Sequence, residues 1–126
     1  MRLYHYSNIK TDKLKIDNFG YNYFTLNDKK ISDIKRIFFY DSNDNPENLF
    51  NGVKYLYVKD IDNNDIYNLY EDNDNLTDKF KYNGVLNIDK LLLYVKENYK
   101  GILYKINDYN VINLFTDIIP DNVVKL

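Results

Sequence analysis

Residues that prefer the protein interior alternate with polar residues at several places along the chain. In "RLYHYS" (2–7) the alternation has a period of two, and one face carries Leu3 and His5. A period of two is typical of a β-strand, because successive side chains point to opposite faces. We therefore predict a first strand on which His5 points with Leu3, away from Tyr4 and Tyr6.

Similar signals predict further strands. The segment "VKYLYVKDI" (53–61) alternates as a half-buried strand does, and "RIFFYD" (36–41) is a short apolar run. The segment "YNYFTL" (21–26) is rich in aromatic residues, which favours a strand. Near the C-terminus, "GILYKI" and "YNVINLF" are separated by "ND", a turn dipeptide that favours a hairpin. The last residues, "DNVVKL", are predicted to add an edge strand.

One helix is predicted with a defined start and end. Asn87 is a suitable N-cap residue, and Gly101 follows where a C-terminal glycine is common. The apolar positions on one face of this helix are Ile88, Leu91, Leu92, Val95 and Tyr99. A shorter helix is predicted over 28–36, where Ile31 and Ile34 are three residues apart.

Strands clustered at both ends of the chain, with one or two helices, indicate an α+β domain with a mainly antiparallel sheet. The polar stretch 62–84 is predicted to be irregular with short helical turns, and its apolar anchors are Ile66, Tyr67, Leu69 and Tyr70. No repeat and no linker rich in Pro, Gly or Ser divides the 126 residues. We therefore predict a single domain over 1–126.

Composition limits the classes of function. A net charge of −2 provides no basic stripe for general nucleic-acid binding. Without cysteine, neither a disulfide nor a thiolate zinc site can form. No apolar run approaches the roughly 18 residues of a membrane span and no signal-peptide core is visible, so we expect a soluble, cytoplasmic protein. The informative feature of the composition is the abundance of aromatic residues, 14 Tyr and 7 Phe, since aromatic rings can line a cleft for a planar ligand.

Metal-dependent and hydrolytic chemistry has little support in the sequence. A single histidine excludes a His-rich metal site, and no GxSxG nucleophile turn is present. The loop 60–71 matches a calcium-loop template in part, but its sixth position is Asp65 where the turn needs glycine. We therefore expect no bound metal.

Three short motifs follow one another along the chain: "LYHYS" (3–7), "YFT" (23–25) and "YKGILY" (99–104). Together they resemble the ADP-ribosyltransferase superfamily, in its small bacterial and phage-type members. In that family the first strand commonly reads L-Y-H-x-[ST], and a glycine turn precedes Y-F-T. A late helix leads into G-[YF]-[DK]-G-[IV]-x-Y and then a hydrophobic strand that ends in Phe. The resemblance implies a split, mostly antiparallel sheet around an NAD cleft.

The resemblance also implies roles for individual residues. His5 would contact the ribose of NAD, and Tyr23 would stack on the nicotinamide ring. Ser7 or Tyr6 would lie near the nicotinamide amide. Cleavage of the bond between nicotinamide and ribose passes through an oxocarbenium-like state, which needs a fixed ribose and a nearby carboxylate. Arg36, one of only two arginines, is a candidate for the pyrophosphate, with a surface ion pair as the alternative.

The third element departs from the family pattern. Transferases of this family usually carry a Glu at or just before the penultimate strand, and no Glu lies between 98 and 126. Asp108 is the nearest carboxylate and would fill this catalytic position, with Asn113 as the alternative. Structural interpretations stand beside these, because a lone His or Tyr is usually packed and Asp is a common turn residue.

The resemblance implies a mono-ADP-ribosyltransferase that cleaves NAD and transfers ADP-ribose to a host macromolecule, with a protein as the expected acceptor. Small size and an AT-rich residue bias are typical of a phage or mobile-element effector, for example an anti-CRISPR protein acting on a nucleoprotein defence complex. The alternative is a catalytically inactive protein of the same fold that blocks a host partner stoichiometrically. The missing Glu and the many tyrosines, which suit interface hot spots, favour that alternative.

Overall fold

The computed structural model describes residues 1–22, 33–42, 50–106 and 108–126. Nine strands are assigned in these ranges: β1 (Arg2–Ser7), β2 (Ile37–Tyr40), β3 (Tyr55–Asp60), β4 (Ile66–Asn68), β5 (Lys81–Tyr82), β6 (Val85–Leu86), β7 (Gly101–Ile106), β8 (Tyr109–Leu114) and β9 (Asn122–Lys125). The helices in the same ranges are α1 (Ile16–Phe19), α2 (Leu76–Lys79), α3 (Ile88–Asn98) and a 3₁₀ helix at Asn63–Asp65.

Seven of these strands form one mixed sheet in the order β4-β7-β8-β2-β1-β3-β9. Every neighbouring pair is antiparallel except β4 and β7, which run parallel. β5 and β6 form a separate hairpin. The predicted α+β class and mainly antiparallel sheet are confirmed, although the described ranges contain three α-helices where we expected one or two.

The alternating segments and the short apolar runs together locate most of the sheet. The strands predicted over 2–7, 36–41 and 53–61 correspond to β1, β2 and β3. The predicted C-terminal hairpin is formed by β7 and β8, and the last strand, β9, pairs with β3 at one edge of the sheet. Alternation therefore identified β1 and β3 correctly, and short apolar runs identified β2, β7 and β8.

Two predicted elements fall largely outside the described residues. These are the strand over 21–26 and the helix over 28–36. Tyr21 forms a single antiparallel bridge with Arg36. The described residues 33–36 at the end of the predicted helix are not helical.

β2 lies in the middle of the sheet and is buried on both faces. Its residues Ile37, Phe38, Phe39 and Tyr40 are each at most 4% exposed. Phe38 and Tyr40 belong to a core cluster that contains the buried residues of α3, whereas Ile37 and Phe39 belong to a second cluster. We call these two sides of the sheet the α3 face and the opposite face.

α3 covers the α3 face with one apolar stripe, as its spacing predicts. The side-chain oxygen of Asn87 accepts a hydrogen bond from the Lys90 N–H at 3.1 Å and caps the first turn. The buried residues of this helix are Leu91, Leu92 and Val95. None of the helices in the described ranges is long and apolar enough to cross a lipid bilayer.

The stretch 62–84 is more regular than its composition indicates. It contains the 3₁₀ helix, β4, α2 and β5, and β5 pairs with β6 just after the stretch. Ile66 and Tyr67 are buried as expected, whereas Tyr70 is 70% exposed and was wrongly predicted as an anchor. Parallel pairing with β7 buries the first two residues of β4, and such a long-range contact leaves no local signal in the sequence.

The partial match to a calcium loop at 60–71 does not form such a loop. Asp62 instead caps the 3₁₀ helix by accepting a hydrogen bond from the Asn64 N–H at 2.9 Å. β4 follows directly, at Ile66–Asn68. Across the described ranges, no group of three or more His, Asp or Glu side chains is arranged to hold a metal ion.

Gly101 has a different role from the one its position predicts. Tyr99, in an extended conformation, ends α3, and Gly101 is the first residue of β7. A Cβ atom at Gly101 would lie 2.6 Å from the Asn113 carbonyl oxygen and 2.9 Å from a methyl carbon of Ile66. Glycine is required because β7 is confined between β4 and β8.

We expect Gly101→Ala to lower the free energy of unfolding by about 1–3 kcal/mol, the usual cost of overpacking a core. Gly84→Asn is the control, because nothing lies within 4 Å of the added Cβ at this position and Asn readily adopts a positive φ. Urea denaturation measures the free energy of unfolding of both variants and of the wild type. Equal losses in the two variants would show that Gly101 is not confined.

Candidate functional site

The pairing between β1 and β2 is interrupted after a single pair of residues. Tyr4 lies opposite Tyr40, yet β1 continues to Ser7 and β2 begins at Ile37 without further paired residues. By contrast, β1 pairs with β3 along its whole length. The sheet is therefore partly open between β1 and β2.

The side chain of His5 bridges this opening. Its Nδ1 lies 2.7 Å from the carbonyl oxygen of Phe38. A carbonyl oxygen can only accept, so Nδ1 carries the proton of this hydrogen bond. The imidazole thus holds β2 where backbone ladder bonds are absent, and in the neutral ring Nε2 is left as an acceptor.

His5 is an interior residue, only 7% exposed. Its ring lies against aromatic rings of the opposite face, with centroid distances of 5.4 Å to Phe39, 6.0 Å to Phe19 and 6.1 Å to Tyr57. Burial lowers the pKa of His5 below its ordinary value, and the hydrogen bond to Phe38 only partly opposes this effect. His5 is therefore neutral at physiological pH.

A cavity of about 300 Å³ opens at the gap between β1 and β2. Its lining residues are His5, Tyr6, Ser7, Asn8, Ile9, Asn18, Phe19, Tyr21, Phe38, Tyr40, Phe50 and Val53. We call it the His5 cavity. The described lining contains no carboxylate, lysine or arginine, so the cavity suits the uncharged part of a ligand.

Aromatic rings form the walls of the His5 cavity. Tyr6 and Phe50 stack face to face, with centroids 4.5 Å apart and planes within 4° of parallel. Tyr21 stands edge-on to Phe38 at 6.1 Å and is 51% exposed. An exposed ring beside a cavity offers a flat surface to a planar ligand.

The rim of the cavity is held by hydrogen bonds from neighbouring segments. The Tyr57 hydroxyl donates to the Ile9 carbonyl and accepts from the Thr11 N–H at 2.9 Å. The side-chain oxygen of Asn8 accepts from the Lys54 N–H at 3.1 Å. The loop after β1 is thereby fixed against β3.

Tyr40 is a cavity residue that the sequence interpretation missed. It is 3% exposed, and its hydroxyl has no hydrogen-bond partner in the described part of the chain. Burial raises the pKa of Tyr40 above its ordinary value, so this hydroxyl stays protonated and can donate. The sequence signal for Tyr40 is its place at the end of the apolar run of β2. A tyrosine in such a run is expected to be buried, and a buried tyrosine hydroxyl usually needs a hydrogen-bond partner.

Arg36 does not line the His5 cavity. It is fully buried, with Nε donating to the Asn113 side-chain oxygen at 2.9 Å and Nη1 donating to the Ile34 carbonyl at 2.8 Å. Burial lowers the pKa of its guanidinium. This placement supports neither the expected pyrophosphate contact nor a surface ion pair, because the guanidinium is enclosed by protein.

The two candidates for the missing carboxylate also do not line the described cavity. Asp108 is exposed in the turn between β7 and β8 and does not line the His5 cavity. Asn113 is fully buried in β8, and its side-chain oxygen accepts from Arg36 and from the Tyr104 hydroxyl. Neither residue is among the described residues that line the His5 cavity.

The structure brings three of the expected site residues together at one cavity, namely His5, Tyr6 and Ser7. Tyr23 lies outside the described residues.

Comparison with protein families, with curated proteins and with solved structures finds no match to this chain.

The tautomer and pKa of His5 can be measured directly, because it is the only histidine. Nitrogen-detected NMR of imidazole-labelled protein should show the proton on Nδ1 and a pKa below the unfolded value of about 6.5. Since only the unfolded chain then gains a proton near pH 6, stability should fall as the pH drops below about 6.5 and stay unaffected by His5 above it. A protonated Nε2 or a raised pKa would contradict this geometry.

Tyr40→Phe should leave the ligand-free protein as stable as the wild type, or up to about 1–3 kcal/mol more stable, because the variant removes a buried hydroxyl without a partner. Tyr104→Phe is the matched control, since the Tyr104 hydroxyl donates to Asn113 at 2.9 Å. Loss of that bond should cost about 0.5–1.5 kcal/mol. Thermal denaturation compares the two, and an equal loss in both would mean that Tyr40 has a partner.

Proposed function

We propose that the His5 cavity binds the nicotinamide-ribose end of NAD and that the protein is an ADP-ribosyltransferase with a fold of that family. The observation that carries this proposal is the position of His5 at the opening between β1 and β2, with its Nε2 left as an acceptor. The motif resemblance assigns this histidine to the ribose. A neutral imidazole acceptor is suited to a ribose hydroxyl, which donates.

The volume and the walls of the cavity agree with this assignment. About 300 Å³ is at the lower end of small-molecule sites, enough for one planar ring and a sugar but not for a whole dinucleotide. Nicotinamide would lie against the rings of Tyr21 and Phe38, and its amide would meet Ser7 or Tyr6. The adenosine half of NAD would then extend beyond the cavity.

The proposed reaction breaks the bond between the nicotinamide nitrogen and the ribose C1′. The bonding electron pair leaves with nicotinamide, and the positive charge moves to the ribose ring. A nucleophilic side chain of a host protein then bonds to C1′ and loses its proton to solvent. We assign His5 and the aromatic walls to holding the substrate, and we assign no described residue to stabilising the cation.

The acceptor is proposed to be a protein in the cytoplasm of a host cell, as expected for a phage or mobile-element effector. The net charge of −2 disfavours general binding to nucleic acid, although a protein within a nucleoprotein complex remains a suitable target.

A second candidate function is favoured by one specific observation. Among the described residues that line the His5 cavity, none is a carboxylate that could stabilise the ribose cation. The protein would then act as an inactive member of the same fold that occupies a host partner. Such a protein would bind its partner stoichiometrically and without NAD.

Labelled NAD tests the enzymatic proposal. Wild-type protein incubated with NAD and bacterial lysate should release nicotinamide and label a discrete protein band. His5→Ala should lower both signals by about 100-fold, the effect that small misplacements of a substrate can have. Asp108→Ala should keep most of the activity, because Asp108 is exposed and does not line the described cavity.

A second pair of variants separates ligand binding from loss of folding. Tyr21→Ala removes a half-exposed cavity wall and should lower nicotinamide release, whereas Tyr82→Ala removes a 79% exposed ring on the β5–β6 hairpin and should not. Equal activity in the wild type, His5→Ala and Tyr21→Ala would refute the assignment of the site. Stoichiometric capture of a lysate protein without NAD, together with no nicotinamide release, would instead support the inactive binder.

A further inference from the structure

A second cavity, of about 450 Å³, lies at the open edge of β4. Its lining residues are Met1, Asn63, Asn64, Ile66, Tyr67, Asn68, Glu71, Asn73, Tyr99 and Leu103. We call it the β4 cavity. It shares no lining residue with the His5 cavity, so its chemistry is independent of the function proposed above.

The backbone of β4 directs two unused polar groups towards this edge. The Leu69 N–H donates to the Leu103 carbonyl at 2.9 Å. Because the backbone groups of alternate residues in a strand point to the same side, those of Tyr67 and Leu69 point towards β7. The backbone groups of Ile66 and Asn68 therefore point away from the sheet. The Asn68 carbonyl accepts from the Asp72 N–H at 2.9 Å. The Ile66 carbonyl and the Asn68 N–H have no partner among the described residues and offer one acceptor and one donor.

Polar side chains form the rim of the cavity. Asn63, Asn64, Asn73 and Glu71 are all exposed. In the described structure their side chains have no hydrogen-bond or ion-pair partner, whereas the Asn68 side chain already accepts from the Glu71 N–H at 3.2 Å. Each amide offers both a donor and an acceptor, and the carboxylate accepts from hydroxyl groups.

The floor and one wall are apolar. Ile66, Tyr67 and Leu103 are at most 7% exposed. The hydroxyls of the two tyrosines are engaged, Tyr67 with Asp72 and Tyr99 with Asp74 at 3.0 Å. The two rings stand edge to face, with centroids 5.2 Å apart. The cavity therefore combines an apolar base with a rim of hydrogen-bonding groups.

Charge and shape narrow the class of ligand. The lining residues of the described cavity carry two charged groups, the Met1 amino group and the Glu71 carboxylate, and the amino group is already engaged by the Ile61 carbonyl at 2.8 Å. With no lysine or arginine and no net positive charge, the lining does not favour phosphates or other anions. β4 is only three residues long, too short an edge for an added peptide strand.

We propose that the β4 cavity binds a neutral saccharide of one or two rings. A pyranose has an apolar face of C–H groups and a perimeter of hydroxyls, which matches the apolar floor and the amide rim. Hydroxyls can donate to Glu71 and to the Ile66 carbonyl and accept from the asparagine amides and the Asn68 N–H. The cavity volume lies within the range of small-molecule sites.

Saturation-transfer NMR with the intact chain tests this proposal. The probes are glucose, galactose, N-acetylglucosamine and lactose, with glucuronate and glucose 6-phosphate as anionic comparisons. At least one neutral sugar should receive saturation from the protein and perturb the amide resonances of Asn64 and Asn68. The anionic sugars should not bind more tightly than the neutral ones, because the charges of the Met1 amino group and Glu71 offset each other.

Substitutions at the rim locate the binding. Asn64→Ala and Glu71→Gln should each weaken the sugar about threefold to tenfold, the effect of losing one hydrogen bond. Both side chains are exposed and unpartnered, so thermal stability should not change. Asn122→Ala, an exposed asparagine on β9, is the matched control and should bind as the wild type does. No binding by any neutral sugar, or equal binding by wild type and both rim variants, would overturn the proposal.

Discussion

The hydrogen bond from His5 to the Phe38 carbonyl is the contact on which the candidate site depends. The paired residues of β1 and β2 end after Tyr4 and Tyr40, and the imidazole connects the two strands beyond that point. Because a side chain spans a gap that backbone groups leave open, the sheet stays continuous while a cavity forms beside it. The same bond fixes the proton on Nδ1 and leaves Nε2 of the neutral ring as an acceptor.

The elements predicted correctly are those whose signal is contained in neighbouring residues. β1 and β3 follow from the period of two, and the β7–β8 hairpin follows from the turn dipeptide between two apolar runs. α3 follows from the spacing of its buried residues and from Asn87 as its cap. In each of these cases local propensity and long-range packing favour the same structure.

The site was only partly predictable, because burial of a polar side chain depends on strands that are distant in sequence. Alternation alone placed His5 on the same face as Leu3, and both are buried. It could not reveal that Arg36 is enclosed between β2 and β8, since Asn113 contacts it from 77 residues away. It also could not separate Tyr40 from the other tyrosines, because only the absence of a hydroxyl partner makes Tyr40 unusual.

The α3 face carries buried polar atoms without partners, and their cost bears on how the protein holds its candidate site. In the described structure these include Arg36 Nη2, Asn113 Nδ2 and the Tyr40 hydroxyl. Each such atom opposes folding by about 1–3 kcal/mol, which the surrounding apolar packing must offset. Arg36 and Asn113 do not line the His5 cavity, so a ligand there cannot satisfy them. Tyr40 does line it, but its hydroxyl oxygen is itself buried, so a ligand that fills the cavity as it stands would leave this cost in place as well.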